Sequence, residues 1–566
     1  MHQGCTPSAT GDVIHLIPMP SVSAHVALTL ATHLDHVFGV MGNGNAYFLD
    51  ALVRDTDASF TAVRHEAGAV VAADTFYRTS GRIAAGTATY GAGFTNTLTA
   101  LAEAVQAHVP LVLVVGDEPT SGRRPWDVDQ IALASGVGAR TYTVGRADAA
   151  ATTAIAVEHA LTYRVPTVLA IPYDVAALDA GPVPVAPTPQ VPAPLIPRGP
   201  YAEATVREIA DALASAERPL LLAGRGAWAA GAGPALGELA DATGALTTTS
   251  SLGRSLFPRA EFDLGPAGGW GAEGAMELVR HADVAVVLGA SLNQFTMRFG
   301  ELFAPGTRVY QVDIAPAATH PHVGGYVRGD ARVVAEALVA ELAGATPSGW
   351  RESVDVPAAR RYDTGTGRAE DGRLDPRTAA ARIGELLPED RVVVSDGGHF
   401  IGWANMYWPV ASPDRMVMVG TAFQAIGLGF PSVLGAALAR PGSTVVLTTG
   451  DGGGLMALAD LESAVRVAGG RGLTVVWNDA AYGAEVHVYG RKGLTQEPML
   501  IPDVDFAGLA EAVGAQGVAV RTMKDLEVLG DWVTRPADER PFLLLDLRVS
   551  RSVMAPYQEE IIRANR

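Results

Sequence analysis

The sequence of 566 residues contains one cysteine, Cys5, which excludes an internal disulfide bond and a metal site built from cysteines. Such cysteine usage fits a reducing compartment, and we expect the protein in the cytoplasm. Long apolar runs are also missing, since none approaches the roughly 18–20 residues that a membrane-spanning helix needs. The first residues lack a basic start followed by an apolar stretch, so we expect no secretory signal.

Charged residues are scarce, at 18% of the chain against about 25% in a typical protein. Acidic residues prevail among them, and the formal net charge is −18. An acidic chain is a poor general binder of nucleic acid and is repelled by anionic membrane surfaces. Hydrophobic residues make up 48%, which excludes global disorder. We therefore expect a soluble protein of about three domains, with no nucleic-acid or membrane partner.

Short apolar runs recur along the chain, each closed by Gly, Asp or Pro, and none alternates apolar with polar residues. They lie at 110–116, 166–172, 219–224, 284–290, 308–314, 391–397, 444–452, 473–479 and 541–547. Such runs are typical of strands that are covered on both faces, as in parallel sheets. Ala-rich stretches such as 95–108 and 455–468 predict helices between them. Alternating strands and helices indicate doubly wound α/β domains.

Two segments divide the chain. Residues 182–200 contain eight prolines, which exclude a helix or a central strand and favour an extended interdomain linker. Residues 345–377 are polar, charged and interrupted by Gly and Pro. The segments predict domains at 1–180, 201–345 and 376–548, followed by a C-terminal tail at 549–566.

The strongest chemical signal is the motif GDGGG at 450–454, which follows an apolar run and precedes a helical stretch. Glycines at a strand end let backbone N–H groups approach a phosphate, and a helix N-terminus favours anions. Asp451 and Asp479 would then end two strands, where ligands of open α/β sheets bind, and their oxygens suit Mg²⁺ beside a diphosphate. Taken alone, such a motif is most often an ordinary turn capped by an aspartate, here Asp451.

Four other segments accompany this motif along the chain: VMGNG at 40–44, RHEAG at 64–68, GAGFTN at 91–96 and AIGLGFP at 425–431. Together with GDG and the later pair Asn478-Asp479, they resemble the motifs of thiamin diphosphate (ThDP) enzymes. The best match is the branch of acetolactate synthase, pyruvate oxidase and benzaldehyde lyase. The resemblance covers most of the chain and implies an α/β fold of three doubly wound parallel-sheet domains: pyrimidine-binding, central and diphosphate-binding.

The resemblance implies a catalytic role for Glu66. It matches the family's glutamate that hydrogen-bonds the aminopyrimidine N1′ of ThDP and so promotes removal of the thiazolium C2 proton. A carboxyl group in that role needs an apolar pocket that raises its pKa towards neutrality. Taken alone, a glutamate early in an Ala-rich helix is most often a solvated charge.

The resemblance assigns the Mg²⁺ site to Asp451, the side chain of Asp479 and the backbone carbonyl of Ala481. Asp479 stands where many relatives have Asn, and its alternative role is to cap a turn. Ile426 takes the place of a bulky apolar residue that bends the cofactor, and the carbonyl of Gln424 would face the 4′-amino group. The other cofactor contacts that we expect are Gly42, Asn43, Asn96, Gly397, Gly398, His399, Phe400, Gly450, Gly452, Gly453, Ala480 and Tyr482.

On the substrate side, we expect Glu485 and His487 to be catalytic, since they follow the metal-binding turn. Glu485 matches a carboxylate that relays protons in some 2-keto-acid decarboxylases. Alternatively, it is an exposed helix charge. Three further residues are candidates for the substrate pocket by position: Phe94, His108 and Gln130.

The implied activity is a ThDP-dependent reaction of a 2-keto acid, with decarboxylation followed by carboligation to a carbonyl acceptor or by protonation. One alternative is a C–C lyase or hydrolase of a 2-hydroxy ketone, a 2-hydroxyacyl-CoA or a diketone. The other alternative is a non-catalytic subunit of this fold. We do not expect FAD, because residues 288–293 lack the Arg of flavin-binding relatives. The family forms each site between two subunits, so we expect a homodimer or homotetramer.

Overall fold

The computed structural model describes residues 19–185 and 187–564. The expectations for Cys5 and for the N-terminal signal concern residues that lie outside this description. The described strands form three six-stranded sheets whose ladders are all parallel, with helices between most successive strands. The predicted α/β fold of three doubly wound domains is confirmed. None of the helices in the two described ranges has both the length and the apolar character needed to cross a membrane.

The N-terminal sheet has the strand order β2-β1-β3-β4-β6-β5. Its strands are β1 His36–Gly39, β2 Ser59–Ala62, β3 Ala85–Ala88, β4 Val112–Asp117, β5 Arg140–Thr143 and β6 Thr167–Pro172. Its helices are α1 Val22–Leu30, α2 Ala46–Asp55, α3 Glu66–Ser80, α4 Ala92–Thr95, α5 Leu98–Gln106, α6 Gln130–Gly136 and α7 Ala149–Tyr163. The central strands β3 and β4 are buried along their whole length, as expected for strands that helices cover on both faces.

The central sheet has the order β12-β11-β10-β7-β8-β9. Its strands are β7 Pro219–Ala223, β8 Leu246–Thr249, β9 Asp263–Pro266, β10 Val284–Leu288, β11 Arg308–Asp313 and β12 Val323–Arg328. Its helices are α8 Pro200–Ala214, α9 Arg225–Ala229, α10 Gly233–Thr243, α11 Glu273–His281, α12 Ala331–Glu341 and α13 Val356–Ala359.

The C-terminal sheet has the order β14-β13-β15-β16-β18-β17. Its strands are β13 Arg391–Ser395, β14 Met416–Met418, β15 Thr444–Gly450, β16 Gly472–Asn478, β17 Gln516–Val520 and β18 Leu543–Arg548. Its helices are α14 Pro376–Leu386, α15 Ile401–Tyr407, α16 Gly429–Ala439, α17 Asp451–Met456, α18 Leu461–Ala468, α19 Gly483–Val488, α20 Phe506–Ala512, α21 Glu527–Thr534 and α22 Pro556–Ala564.

The N-terminal and C-terminal sheets share one hydrophobic core, which is built around helices α3 and α16. The two helices approach closely because small residues face each other. A Cβ atom on Gly435 would lie 2.2 Å from the carbonyl oxygen of Ala72, so no larger residue fits there. At the start of α3, a Cβ atom on Gly68 would lie 2.3 Å from Oδ2 of Asp460. These contacts fix the position of Glu66, the first residue of α3, relative to the C-terminal domain.

The stretch 455–468, predicted as one helix, is broken in the structure. Helix α17 ends at Met456, a 3₁₀ turn spans Leu458–Asp460, and α18 starts at Leu461. The carboxylate of buried Asp460 accepts hydrogen bonds from the backbone N–H of Arg64 at 2.7 Å and from the hydroxyl of Ser463 at 2.8 Å. The break thus serves a contact between domains, which local helix propensity does not reveal.

Candidate active site

The candidate site lies at the carboxyl edge of the C-terminal sheet, where β13, β15 and β16 run side by side. The strand order changes direction between β13 and β15, since β14 lies on one side and β16 on the other. Ligands of open α/β sheets bind at such a switch point. The chain leaves these three strands at Asp396, Asp451 and Asp479, so three carboxylates share one edge.

Asp451 and Asp479 are almost completely buried, with 2% and 1% of their surface exposed. Oδ2 of Asp451 and Oδ1 of Asp479 have no hydrogen-bond partner among the described residues. Burial raises the pKa of Asp451 to about 7, and the nearby charge of Asp479 adds to the shift. Buried carboxylates without partners are costly unless a cation joins them, so this pair fits a hard divalent metal such as Mg²⁺.

The described residues contain no group of three or more Asp, Glu, His and Cys side chains arranged for a metal ion. Two side chains leave most positions around Mg²⁺ to carbonyl, water and ligand oxygens, as Mg²⁺ sites beside phosphates commonly do. The segment that holds Ala481 is fixed by two backbone bonds, from Ile501 to the carbonyl of Ala480 at 3.0 Å and from Tyr482 to the carbonyl of Met499 at 2.8 Å. Neither bond uses the carbonyl of Ala481, which stays a candidate ligand.

The glycines of the predicted diphosphate turn lie where side chains would collide. A Cβ atom on Gly452 would lie 2.7 Å from the ring of Tyr482, and one on Gly450 would lie 2.9 Å from the ring of Phe400. A Cβ atom on Gly453 would lie 2.6 Å from a carboxylate oxygen of Asp396. The turn therefore presents backbone rather than side chains at this edge, as a phosphate-binding turn requires.

Asp396 is a further residue of the site, which the sequence motifs did not identify. Its Oδ1 accepts hydrogen bonds from the backbone N–H groups of Gly397 at 2.8 Å and Leu428 at 3.1 Å. Its Oδ2 accepts hydrogen bonds from the backbone N–H of Gly427 at 3.2 Å and from the hydroxyl of Thr449 at 3.1 Å. Full burial raises its pKa to about 6 in spite of these bonds. Asp396 holds the loop before α16 against the strand ends. Its position directly after a buried strand, like that of Asp451, is the sequence signal that could have identified it.

The loop before α16 carries two predicted cofactor contacts, Gln424 and Ile426. Gln424 is exposed and has a φ of 64°, in the left-handed region that non-glycine residues rarely adopt. Ile426 is half-buried, and its Cγ2 would lie 3.3 Å from a Cβ atom on Gly397. The loop has a second anchor, because the backbone N–H of Phe423 donates to Oε2 of Glu103 at 2.7 Å. The N-terminal domain thus helps to hold this loop.

His399 and His487 lie near the metal candidates. Nε2 of His399 is 3.0 Å from Oδ2 of Asp479, and its ring meets the ring of His487 edge-on at 5.8 Å between centroids. Nε2 of His487 lies 2.8 Å from the carbonyl oxygen of Arg551, while burial lowers its pKa. Glu485, on the first turn of α19, is exposed in the single chain. Gly398, which directly precedes His399, is exposed and has a φ of 136°.

Glu66 belongs to a second group of site residues, at the carboxyl edge of the N-terminal sheet. It is half-buried, and its Oε2 accepts a hydrogen bond from Nδ2 of Asn96 at 3.0 Å. Its Oε1 would lie 3.4 Å from a Cβ atom on Gly93. Helix α3 starts at Glu66 because the side chain of His65 caps it by accepting the N–H of Ala67.

Gly42, Asn43 and Gln130 lie near the same edge. Nδ2 of exposed Asn43 donates to the hydroxyl of Tyr90 at 2.8 Å, and the N–H of Gly42 donates to Asn45 at 2.8 Å. Buried Gln130 connects two strand ends: its Oε1 accepts the N–H of Gly91 at 2.8 Å, and its Nε2 donates to the carbonyl of Gly116 at 2.9 Å. These bonds occupy Gln130 within the protein.

The other two pocket candidates differ in position. Phe94 lies at this edge, between Gly93 and Asn96, and its side chain is fully buried in the shared hydrophobic core. His108 is exposed and follows α5, just before the amino end of β4. Since the other site residues lie at the carboxyl ends of the strands, His108 is at the opposite edge of the sheet. A helix that returns antiparallel to the strands necessarily places its last residues there.

The two groups of site residues lie at the carboxyl ends of strands in two different sheets. In the described part of the chain, no hydrogen bond or ion pair joins Glu66, Asn96 or Asn43 directly to the group around Asp451 and Asp479. Exposed apolar side chains flank both groups: Met41 and Trp126 near the first, Phe423 and Met456 near the second.

Comparison with protein families matches all three domains. The N-terminal TPP binding domain of thiamine pyrophosphate enzymes matches residues 20–135, their central domain matches residues 206–338, and their C-terminal TPP binding domain matches residues 396–544. The matched segments contain the motifs around Glu66, Asp451 and Asp479.

The chain is also similar to characterised proteins over most of its length. It is 27% identical to a sulfoacetaldehyde acetyltransferase of Roseovarius nubinhibens, covering 94% of this chain and 93% of the relative. It is 28% identical to an acetolactate synthase of Mycobacterium bovis, covering 87% of this chain and 82% of the relative. A probable acetolactate synthase large subunit of Methanocaldococcus jannaschii is 27% identical, with coverage of 85% and 84%.

Proposed function

Because the chain belongs to the thiamine pyrophosphate enzyme family, we propose that it decarboxylates a 2-keto acid with ThDP and Mg²⁺ and transfers the remaining acyl unit to a carbonyl acceptor. The observation that carries the proposal is the buried pair Asp451 and Asp479 beside a glycine turn, in which Oδ2 of Asp451 and Oδ1 of Asp479 have no partner among the described residues. The names of the relatives, an acetyltransferase and acetolactate synthases, support an acyl transfer. Sequence identities of 27–28% do not determine which compounds are the donor and the acceptor.

The diphosphate end of the proposed site needs a metal and hydrogen-bond donors. We assign the metal to Asp451, Asp479 and the carbonyl of Ala481, because Oδ2 of Asp451, Oδ1 of Asp479 and this carbonyl accept no hydrogen bond within the described part of the chain. Backbone N–H groups of Gly452 and Gly453 supply donors for phosphate oxygens where no side chain fits. These groups bind and orient the cofactor and take no part in bond cleavage.

The pyrimidine end of the proposed site carries the proton chemistry. When bound, ThDP supplies a nucleophilic carbon and an electron sink for cleaving a bond next to a carbonyl group. We propose that the carboxyl group of Glu66 holds a proton at N1′ of the aminopyrimidine ring. The bond from Asn96 fixes Oε2 of this carboxyl group, and its Oε1 faces Gly93, where the lack of a side chain leaves room.

A complete site needs both groups of residues, so we propose that two chains combine to form it. The lack of a direct hydrogen bond or ion pair between the groups in the described part of the chain supports this, as do the exposed apolar residues that flank them. Burying such residues against a second copy is favourable, at about 25 cal/mol for each Å² of apolar surface. The proposed assembly is a homodimer or a homotetramer.

Removal of the cofactors tests the proposed function. We expect chelation and dialysis to abolish CO₂ release from a panel of 2-keto acids, and ThDP with Mg²⁺ to restore it, whereas ThDP alone should not. Turnover that survives complete removal of ThDP contradicts the proposal.

A second outcome separates cofactor from reaction. If the chain binds ThDP and Mg²⁺ but releases no CO₂ from any 2-keto acid, the proposed decarboxylation is contradicted, whereas the assignment of the cofactors is retained. Cleavage of 2-hydroxy ketones under the same conditions would then identify the lyase.

A further inference from the structure

The predicted C-terminal tail, residues 549–566, contains helix α22, and this helix packs against the candidate site. Two residues of its first turn, Tyr557 and Gln558, are only 4% and 6% exposed. The hydroxyl of Tyr557 donates to the backbone carbonyl of His399, and Nε2 of Gln558 lies 3.4 Å from the same oxygen. The helix therefore holds one peptide unit of the segment that follows β13.

The other end of α22 is tied to the central domain. Nε of Arg298 donates to Oε1 of Glu560 at 2.7 Å, and Arg563 pairs with Glu301 at 3.0 Å. Glu560 is buried, so its ion pair is shielded from water and is more than a mobile surface contact. The central domain and the diphosphate-binding domain are thus connected through this helix.

The ring of Tyr557 and its hydroxyl have separate roles. The ring packs edge-on against Trp270 and Phe295, at 6.2 and 5.8 Å between centroids, and lies over Gly402, where a Cβ atom would be 2.4 Å from it. A phenylalanine would fill this apolar position equally well. What the hydroxyl adds is the bond to His399, since a buried hydroxyl requires an acceptor.

The carbonyl that Tyr557 holds belongs to a residue at the metal candidates. The imidazole of His399 lies 3.0 Å from Oδ2 of Asp479 and packs against Gly483, where a Cβ atom would be 2.4 Å from the ring. The next residue, Phe400, packs on Gly450 of the diphosphate turn. A shift of the peptide between His399 and Phe400 would therefore displace groups on both sides of the turn.

We propose that Tyr557 is a positioning residue of the diphosphate site, and that its hydroxyl sets the His399–Phe400 peptide in the place that ThDP binding requires. This inference rests on the proposed function of the same site. It predicts that the hydroxyl contributes to cofactor affinity more than to the stability of the protein. A single hydrogen bond of this kind is worth about 0.5–1.5 kcal/mol, which corresponds to a change in affinity of about two- to tenfold.

The test is the Tyr557→Phe variant of the full chain, titrated with ThDP at saturating Mg²⁺ in a calorimeter. The matched control is Tyr326→Phe, which also removes a phenolic hydroxyl that donates to backbone carbonyls, those of Asp313 and Ala315 in the central domain. We expect Tyr557→Phe to weaken ThDP binding two- to tenfold and Tyr326→Phe to leave it unchanged. Thermal unfolding without cofactor measures the stability of each variant.

The outcomes separate this inference from the proposed function. Failure of the wild-type chain to bind ThDP overturns the proposed function. Binding by the wild type that is unchanged in Tyr557→Phe overturns the positioning role alone. Equal losses of affinity in both variants also overturn it, because the effect would then follow from general destabilisation.

Discussion

Glu66 is the residue whose substitution tests the proton chemistry most directly. Glu66→Gln keeps the shape of the side chain but removes the acidic proton. We expect exchange of the C2 proton of bound ThDP to slow by about 10²–10⁴-fold, the usual contribution of a general acid or base, while ThDP still binds. Proton exchange into deuterated water, followed by NMR, measures this rate.

The control for this variant is Glu336→Gln, which changes an exposed residue of α12 that pairs with Arg332. It should leave the exchange rate unchanged. A Glu66→Gln protein with wild-type exchange would remove Glu66 from the site.

Asp479 offers a second prediction on single residues. Asp479→Asn keeps an oxygen ligand but removes one of two buried negative charges, and so lowers the pKa of Asp451, which the charge of Asp479 helps to raise. The substitution also removes the ion-pair partner of His399, so a gain and a loss combine in the stability of the metal-free protein. We therefore expect the clear change in the stabilisation that Mg²⁺ and ThDP add. Thermal unfolding with and without Mg²⁺ and ThDP measures both states.

The added cofactors should then stabilise Asp479→Asn less than the wild type. Asp531→Asn, at an exposed position of α21, is the control and should change neither value. Stabilisation by Mg²⁺ and ThDP equal to that of the wild type would contradict the assignment of Asp479 as a metal ligand.

At the scale of elements, the break between α17 and α18 connects the two halves of the chain. Asp460→Ala removes the acceptor for the N–H of Arg64, two residues before Glu66. We expect a loss of about 1–3 kcal/mol in the free energy of unfolding, because a buried donor stays unpaired. Urea unfolding measures the loss. Asp460→Asn keeps an oxygen acceptor and should recover most of it, and equal losses in both variants would contradict this role.

The elements that sequence patterns predict well are those that local composition defines. Strand β15 is a continuous apolar run and was predicted, whereas the edge strand β2, Ser59–Ala62, is short and partly exposed and gives no such signal. The motifs identified Asp451 and Asp479. They missed Asp396 and Tyr557, because the roles of these residues depend on contacts with segments far away in the sequence.

At the scale of the whole molecule, the two groups of site residues predict an obligate oligomer. We expect sedimentation to give at least twice the chain mass of 58.7 kDa, and activity to fall on dilution as the chains separate. Mixing a Glu66→Gln chain with an Asp451→Ala chain is a direct test. If each site is shared between two chains, a mixed dimer contains one site without either substitution, and activity should return. A monomer with full activity contradicts the shared site.

The packing of α3 against α16 also affects how the protein is made. Helix α3 is synthesised early, and its partner follows roughly 350 residues later, which takes about 20–70 s at ~5–20 residues per second on the ribosome. During that interval the small apolar face around Ala72 and Gly68 has no partner. We therefore expect this face of the N-terminal domain to stay exposed until the C-terminal domain has emerged.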